Sequence, residues 1–348
     1  MGLNIPEDLA AWQRWQNSRS IKRQIMSRVR PSSNAPEFTL MVNGPEPRLL
    51  ILIDVPTPSA VAAYAEPLRF LEGEQIAVLA PKDLSGMLAG QWTSRRLEGT
   101  ALPRELRSVR AVFAAGHFLP AGAIGYRWSR ELGARFVVAQ HGLTTPFAPP
   151  LASGSHLLAF SEDDAEFWKS GRADVTHEVV GAQLLWHAAG RGRARPVSQG
   201  PTDTTPVFLG QLHGAELSRW ASAKTARTFC LTTGAEYRPH PAETDRLSRL
   251  QHRSWQRRGV RFESSGLSLA DLDRPVVSVF STGVLEAAAA GRQAWVTCID
   301  PPEWVSDFWS RYGLSMWGSE PTPAPPVPPA EPAQLIAASI ARILEGTV

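Results

Sequence analysis

The chain has 348 residues, 43% of them apolar, and a formal net charge of +3. That length exceeds what one hydrophobic core usually supports, so two domains are expected. The apolar share is that of an ordinary globular protein, and so small a charge leaves no footprint for nucleic acid. The only cysteines, Cys230 and Cys298, lie in apolar runs, which suits core packing better than a bridge, and no Cys/His pair has zinc spacing. The amino terminus lacks the charged-then-apolar form of a signal peptide, and no window holds the roughly 18 apolar residues of a spanning helix. The expectation is a cytoplasmic protein, at the inner face of the membrane if its first helix docks there. Basic residues are almost all Arg, with Lys only at Lys22, Lys82, Lys169 and Lys224, as in a GC-rich bacterial coding sequence.

Residues 6–29 read as a helix or helix pair, with an early proline, acids in the first turn and basic residues in the last. Trp12, Trp15, Ile21, Ile25 and Met26 supply apolar positions, and Arg14, Arg19, Lys22, Arg23 and Arg28 the charge. Such a stretch suits peripheral contact with an anionic membrane, packing on the domain, or a homodimer contact, and the packing readings are favoured. From Arg48, strands predicted at 49–55, 75–79, 111–115, 136–139, 157–160 and 179–181 alternate with helices at 60–71, 121–132 and 163–170. This alternation means a parallel, doubly wound α/β sheet. Residues 190–206 lose all periodicity and read as a linker. Strands at 207–212, 229–232, 260–263, 276–280 and 294–299 then repeat the pattern. The run 321–332 is proline-rich and extended, and 333–348 is a helix with an apolar face. The predicted organisation is therefore 1–47 helical, 48–189 first Rossmann-like domain, 190–206 linker, 207–320 second Rossmann-like domain, 321–332 strap and 333–348 helix.

Three clusters carry chemistry. In 276–299 a buried strand breaks at Ser281-Thr282-Gly283 and leads into a short helix bearing Glu286. A helix start after a strand aims free N–H groups at a ligand, hydroxyls add donors, and a carboxylate suits ribose hydroxyls. The plain alternative is a capping Ser and an exposed Glu. In 228–243 two prolines hold His240 on a stiff loop, and Arg238 two residues earlier offers bidentate geometry for phosphate. A solvated loop His is the alternative. In 135–160 a strand runs into Gln140-His141-Gly142 at the functional edge of a parallel sheet, unless that histidine only bonds its own loop.

Together these clusters resemble the GT-B glycosyltransferase superfamily. Within it they look most like the bacterial group of CDP-glycerol glycerophosphotransferases, polysialyltransferases and capsule-polysaccharide transferases. The resemblance covers about 110–300 and rests on Gln140-His141-Gly142, on Arg238-Pro239-His240-Pro241, and on Ser281-Thr282 with Glu286. It implies two Rossmann-like domains facing across a cleft, with a cytidine or uridine nucleotide donor held by Arg238, Ser281, Thr282, Gly283 and Glu286. It implies His240 at the donor phosphates and His141, with Gln140 and Gly142, as base on the acceptor side. The acceptor would be a cell-surface polysaccharide or other glycan. The group's Asp-Tyr-Ser-Ser turn is here Val279-Phe280-Ser281-Thr282, so the implication is a nucleotide-activated donor rather than CDP-glycerol itself.

No phosphate loop, dinucleotide fingerprint, nucleophile elbow or HExxH is present. Asp271-Leu272-Asp273 matches the DxD of metal-dependent transferases in form, but acid-rich turns before strands are common. Asp163-Asp164 reads as a helix start. Neither metal nor cofactor is expected, the nucleotide donor being a substrate. The alternatives are a nucleotide-sugar epimerase of the same fold and a catalytically silent relative in a polysaccharide assembly complex.

Overall fold

The computed structural model describes residues 2–18, 37–55, 57–194, 204–211, 216–241, 243–267, 269 and 271–347. The predicted helix at 6–29 and the linker at 190–206 therefore lie partly outside the described residues. The chain divides into two compact units, Met1–Gln183 with Pro328–Val348, and Leu184–Val327.

The first unit contains α1 (Leu9–Ser18), β1 (Phe38–Val42), β2 (Leu49–Leu52), α2 (Pro58–Tyr64), β3 (Ile76–Ala80), β4 (Thr93–Leu97), β5 (Ala111–Ala114), α3 (Pro120–Leu132), β6 (Arg135–Ala139), β7 (His156–Ala159), α4 (Glu162–Lys169) and β8 (Thr176–Val179). The second contains most of α5 (Gln183–Ala194), then β9 (Val207–Leu209), α6 (Arg219–Thr233), β10 (Glu236–Arg238), α7 (Arg246–Arg257), β11 (Arg261–Phe262), β12 (Val276–Ser278), α8 (Thr282–Ala289), β13 (Ala294–Val296) and α9 (Glu303–Arg311). The last helix, α10 (Pro332–Glu345), belongs to the first unit.

The first sheet runs β4-β1-β3-β2-β5-β6-β7-β8. It is parallel from β3 to β8, and β1 pairs antiparallel with β3 and β4. Leu49–Leu52 and Ala111–Ala114 are buried at every position, as parallel strands covered on both faces must be. Alternate side chains divide between two cores. Leu50, Leu52, Val112 and Val138 pack with Ile124 and Trp128 of α3 and with Phe167 and Trp168 of α4. Leu49, Ile51, Phe113 and Val137 pack with Tyr64 of α2 and with Ile336, Ile340 and Leu344 of α10. At one edge, β4 exposes Arg95 and Arg96, the charged surface that keeps an open strand from pairing with another chain.

The second sheet, β11-β10-β9-β12-β13, is parallel throughout. The chain steps outward from β9 to β10 and β11, then returns to the other side of β9 for β12 and β13. Its topological switch point therefore lies between β9 and β12.

Five predicted elements differ. The linker at 190–206 begins inside α5, which is helical to Ala194, and the strand at 179–181 is β8, which ends at Val179. Residues 1–47 are not wholly helical, because β1, with Phe38, Leu40 and Met41 buried, joins the sheet. The predicted helix at 60–71 is α-helical only to Tyr64. Pro67, which has no N–H to donate, sits in a 3-10 turn over Glu66–Phe70. The predicted strand at 229–232 is the last turn of α6. Ser218 caps that helix by accepting from the Ala221 N–H, Gly234 ends it at φ 73°, and Thr225, Ala226, Phe229 and Cys230 form its buried face. A short apolar run does not by itself separate strand from helix.

Helix α3 lies close to the strands beneath it. A Cβ at Gly122 would collide with the carbonyl oxygen of Gly116, and one at Gly125 with the Leu52 side chain. Gly→Ala in a helix ordinarily stabilises by about 1 kcal/mol. Here Gly122→Ala should instead cost about 1–3 kcal/mol in denaturant unfolding, because a backbone atom must move. A stabilised variant would show that α3 stands further from the sheet.

Candidate functional site

Order β2-β5-β6 brings three strand exits side by side at the carboxyl edge of the first sheet. They carry Asp54, Gly116-His117 and Gln140-His141-Gly142. Pro120 opens α3 without a side-chain cap from Leu119, the residue before it. Instead Asp54 accepts from the Ala121 and Gly122 N–H groups at 2.7 and 3.2 Å, satisfying donors that a helix start leaves open. Burial raises the Asp54 pKa, only partly offset by those two bonds.

The Tyr64 hydroxyl, on a residue 1% exposed, donates to the Ala139 carbonyl at 2.9 Å and lies 3.0 Å from His141 Nδ1. A carbonyl can only accept, so the single phenol proton is committed to it. The hydroxyl oxygen then accepts from Nδ1–H, which leaves the His141 lone pair on Nε2. Burial lowers the His141 pKa, with a bond to Ala139 opposing, so the ring is neutral at pH 7. Burial and the Asp54 charge push the phenol pKa upward, so Tyr64 keeps its proton.

The neighbouring residues have other roles. Gln140 is 2% exposed and uses both ends of its amide: Nε2 donates to Gly142 O at 3.0 Å, and Oε1 accepts from Phe160 N at 2.8 Å. It joins the exits of β6 and β7. A Cβ at Gly142 would meet nothing within 4 Å, so the space beside it is open. His117 has its Nδ1 buried without a hydrogen-bond partner among the described residues and meets Tyr126 edge-on at 5.2 Å. Burial, then the Arg172 charge, lower its pKa to about 4.

In the second unit, α8 begins at the switch point. Ser281 is its N-cap, and its side chain accepts from the Gly283 N–H at 3.1 Å. A Cβ at Gly283 would press on Leu209 and Leu269, so only glycine lets this helix start sit against the end of β9. Gln211, just past β9, accepts from the Phe280 N–H at 3.1 Å. This is the Gln140 arrangement again: a glutamine after one strand holds a phenylalanine N–H after the next, and a capping serine follows. Ser161 and Ser281 are those serines.

Glu286, one turn into α8, has its pKa raised by burial against the charges of Arg191 and Arg238. The Arg238 and Ser281–Glu286 clusters, more than 40 residues apart in sequence, thus share one edge. Arg238 also donates through Nη2 to Leu267 O at 2.6 Å and lies 3.4 Å from Glu263. The His240 loop is pinned by Glu243. That buried carboxylate accepts from Tyr237 Oη at 3.0 Å, from His252 Nε2 at 2.9 Å and from the His240 N–H at 3.2 Å.

Two acidic groups that might suggest metal are otherwise engaged. Asp273 of the DxD pairs with Arg292 at 2.8 Å. Glu162, Glu166 and His177 lie close together, but the Lys169 ammonium is among them, 2.9 Å from Glu166 and 3.3 Å from His177.

The sequence singled out residues on both edges but missed Asp54, Tyr64, His117 and Glu243. An Asp directly after an apolar strand was the available signal for Asp54; Tyr64 and Glu243 gave none.

No family model and no curated protein matches the chain. Among solved structures it is similar to a glycosyltransferase from Rickettsia africae at 10% identity and TM-score 0.44, covering 86% of this chain and 88% of that one. It is also similar to Alr3699/HepE of Anabaena in complex with UDP-glucose, at 15% identity and TM-score 0.45, covering 86% and 90%. Likeness this distant does not establish a family.

As pH falls below 6.5, the unfolded chain protonates its histidines before the native His117, at about 4, can. Stability should therefore fall between pH 6.5 and 4, and His117→Gln should flatten that decline. Denaturant titrations of both proteins at three pH values across the window test this, and identical slopes would mean that His117 titrates normally.

Proposed function

We propose that this protein transfers a sugar or polyol-phosphate unit from a nucleotide-activated donor to a hydroxyl of a glycan acceptor. The observation that carries the reading is the convergence of a serine-capped helix start, Arg238 and Glu286 at the switch point of a parallel sheet. That location is where open α/β sheets bind nucleotides. In this reading the α8 N–H groups, the Ser281 and Thr282 hydroxyls and Arg238 take the donor phosphates, with His240 beside them, and Glu286 takes the ribose hydroxyls. Gly283 keeps the helix start tight against β9.

The first unit supplies the base. An acceptor hydroxyl has a pKa far above neutrality, so its attack is helped by a neutral base with a lone pair. His141, with Nδ1–H engaged by Tyr64, offers Nε2. The acceptor oxygen bonds to the transferred carbon or phosphorus, its proton passes to Nε2, and the nucleotide leaves with its charge on phosphate oxygens. Arg238 and the helix start meet that charge, so the reading is metal-independent. Gln140 holds the loop in place, and the open space at Gly142 suits the approach of an acceptor.

A thermal-shift screen against CMP, CDP, UDP and GDP would identify the base, since a ligand that binds the native state raises apparent stability. Thr282→Val and Glu286→Ala should each weaken nucleotide binding by about 1–3 kcal/mol in calorimetry. Unchanged affinity in both variants would move the nucleotide elsewhere. His141→Asn should keep nucleotide affinity and melting temperature while losing most transfer. Near-normal transfer in that variant would remove His141 from the reaction.

A further inference from the structure

We propose that the first sheet carries a second anion site at its amino-terminal edge, built to hold a compact phosphate-bearing polyanion. This edge is opposite the one that holds Asp54 and His141. Arg48 precedes β2, Arg110 precedes β5, and Arg135 opens β6. Backbone bonds join them in sequence, Arg110 N to Arg48 O at 2.7 Å and Arg135 N to Arg110 O at 2.8 Å. Arg48 and Arg110 thus stand level on adjacent strands, roughly 5 Å apart, where like charges repel. Arg135 is in register with Ala111 and leaves the same edge toward the other face of the sheet. Arg130, from the last turn of α3, is a fourth.

These four line a cavity of about 820 Å³, with Tyr126 and Ser129 of α3 on one wall and residues 343–346 at the end of α10 on another. That volume suits a small-molecule ligand. Acidic groups do not balance the charge. Glu345 lines the cavity, Glu74 pairs with Arg48 at 3.4 Å, and Glu46 lies in a neighbouring recess.

Structural duties account for part of the cluster. Arg48 donates to the Leu344 carbonyl, closing the end of α10, and Arg135 Nη2 donates to Thr176 Oγ1 at 2.6 Å. They do not account for the rest. Arg135 Nε is buried without a hydrogen-bond partner among the described residues. Among the described residues, the exposed Arg110 and Arg130 side chains make no hydrogen bond or ion pair. Guanidinium groups on adjacent strands match the spacing of linked phosphates, each able to take two oxygens in a fork. Walls on two sides favour a ligand that enters over a flat anionic surface.

The test is calorimetry of the full chain with inorganic pyrophosphate. Wild type should bind, and Arg110→Ala with Arg130→Ala should weaken binding roughly tenfold or more, since two charge-assisted contacts are lost. Both residues are exposed, so the melting temperature without ligand should not change; should it drop, Arg110→Gln with Arg130→Gln replaces that pair, with the same loss expected. Arg238→Ala, which alters the proposed donor site on the other unit, should leave this binding intact. Absence of binding, wild-type affinity in the double variant, or loss in Arg238→Ala instead would each overturn the site. So would binding to phosphatidylglycerol vesicles without binding to pyrophosphate. Loss in Arg238→Ala would place pyrophosphate at the proposed donor site instead, and the other results leave the transferase reading untouched, since it rests on other residues.

Discussion

Burial of the parallel strands on both faces is the constraint from which the rest of the molecule follows. A strand such as Leu49–Leu52, covered above and below, has no position for a polar side chain except at its ends. Chemistry is therefore displaced to the strand exits and entrances. The carboxyl exits collect Asp54, His117 and His141 in one unit, and Arg238 and the start of α8 in the other. The amino-terminal entrances collect arginines. The same constraint explains the two glutamines. Neighbouring exits need an internal acceptor for a backbone N–H that has left the ladder, and Gln140 and Gln211 each supply one.

Continuous apolar runs made most of the fold legible in the sequence. Runs such as 49–52, 111–114 and 276–278 fall inside predicted strands because a doubly covered strand has buried positions throughout. Polar edge strands were invisible for the converse reason: β4 is mostly exposed and carries nothing apolar before Leu97. The misread at 229–232 came from treating a four-residue run in isolation, when Ser218 and Gly234 at the two ends of α6 decide the matter.

At the sites, residues with a local signature could be read and residues defined by distant partners could not. Arg238-Pro-His-Pro and Ser281-Thr282 announce themselves through prolines and a capping hydroxyl. Tyr64 matters because it meets a histidine 77 positions later. Glu243 looks like the acid of a helix start, and only the folded chain shows Tyr237 and His252 gathered on it. Buried carboxylates of this kind, satisfied wholly by neighbours, hold loops in one geometry without projecting any chemistry of their own.

The last helix gives the molecule an order of assembly. Ile336, Ile340 and Leu344 complete a core whose members outside that helix, Met41 to Val180, were synthesised well over a hundred residues earlier. The first unit therefore cannot close one face of its sheet until residues 332–345 have been made, although domains commonly form in the order of their synthesis. The second unit, continuous in sequence, suffers no such delay and can be finished while its predecessor waits. Until α10 emerges, Leu49, Ile51 and Val137 remain in search of cover, and that interval is when a nascent chain most needs shielding from its neighbours.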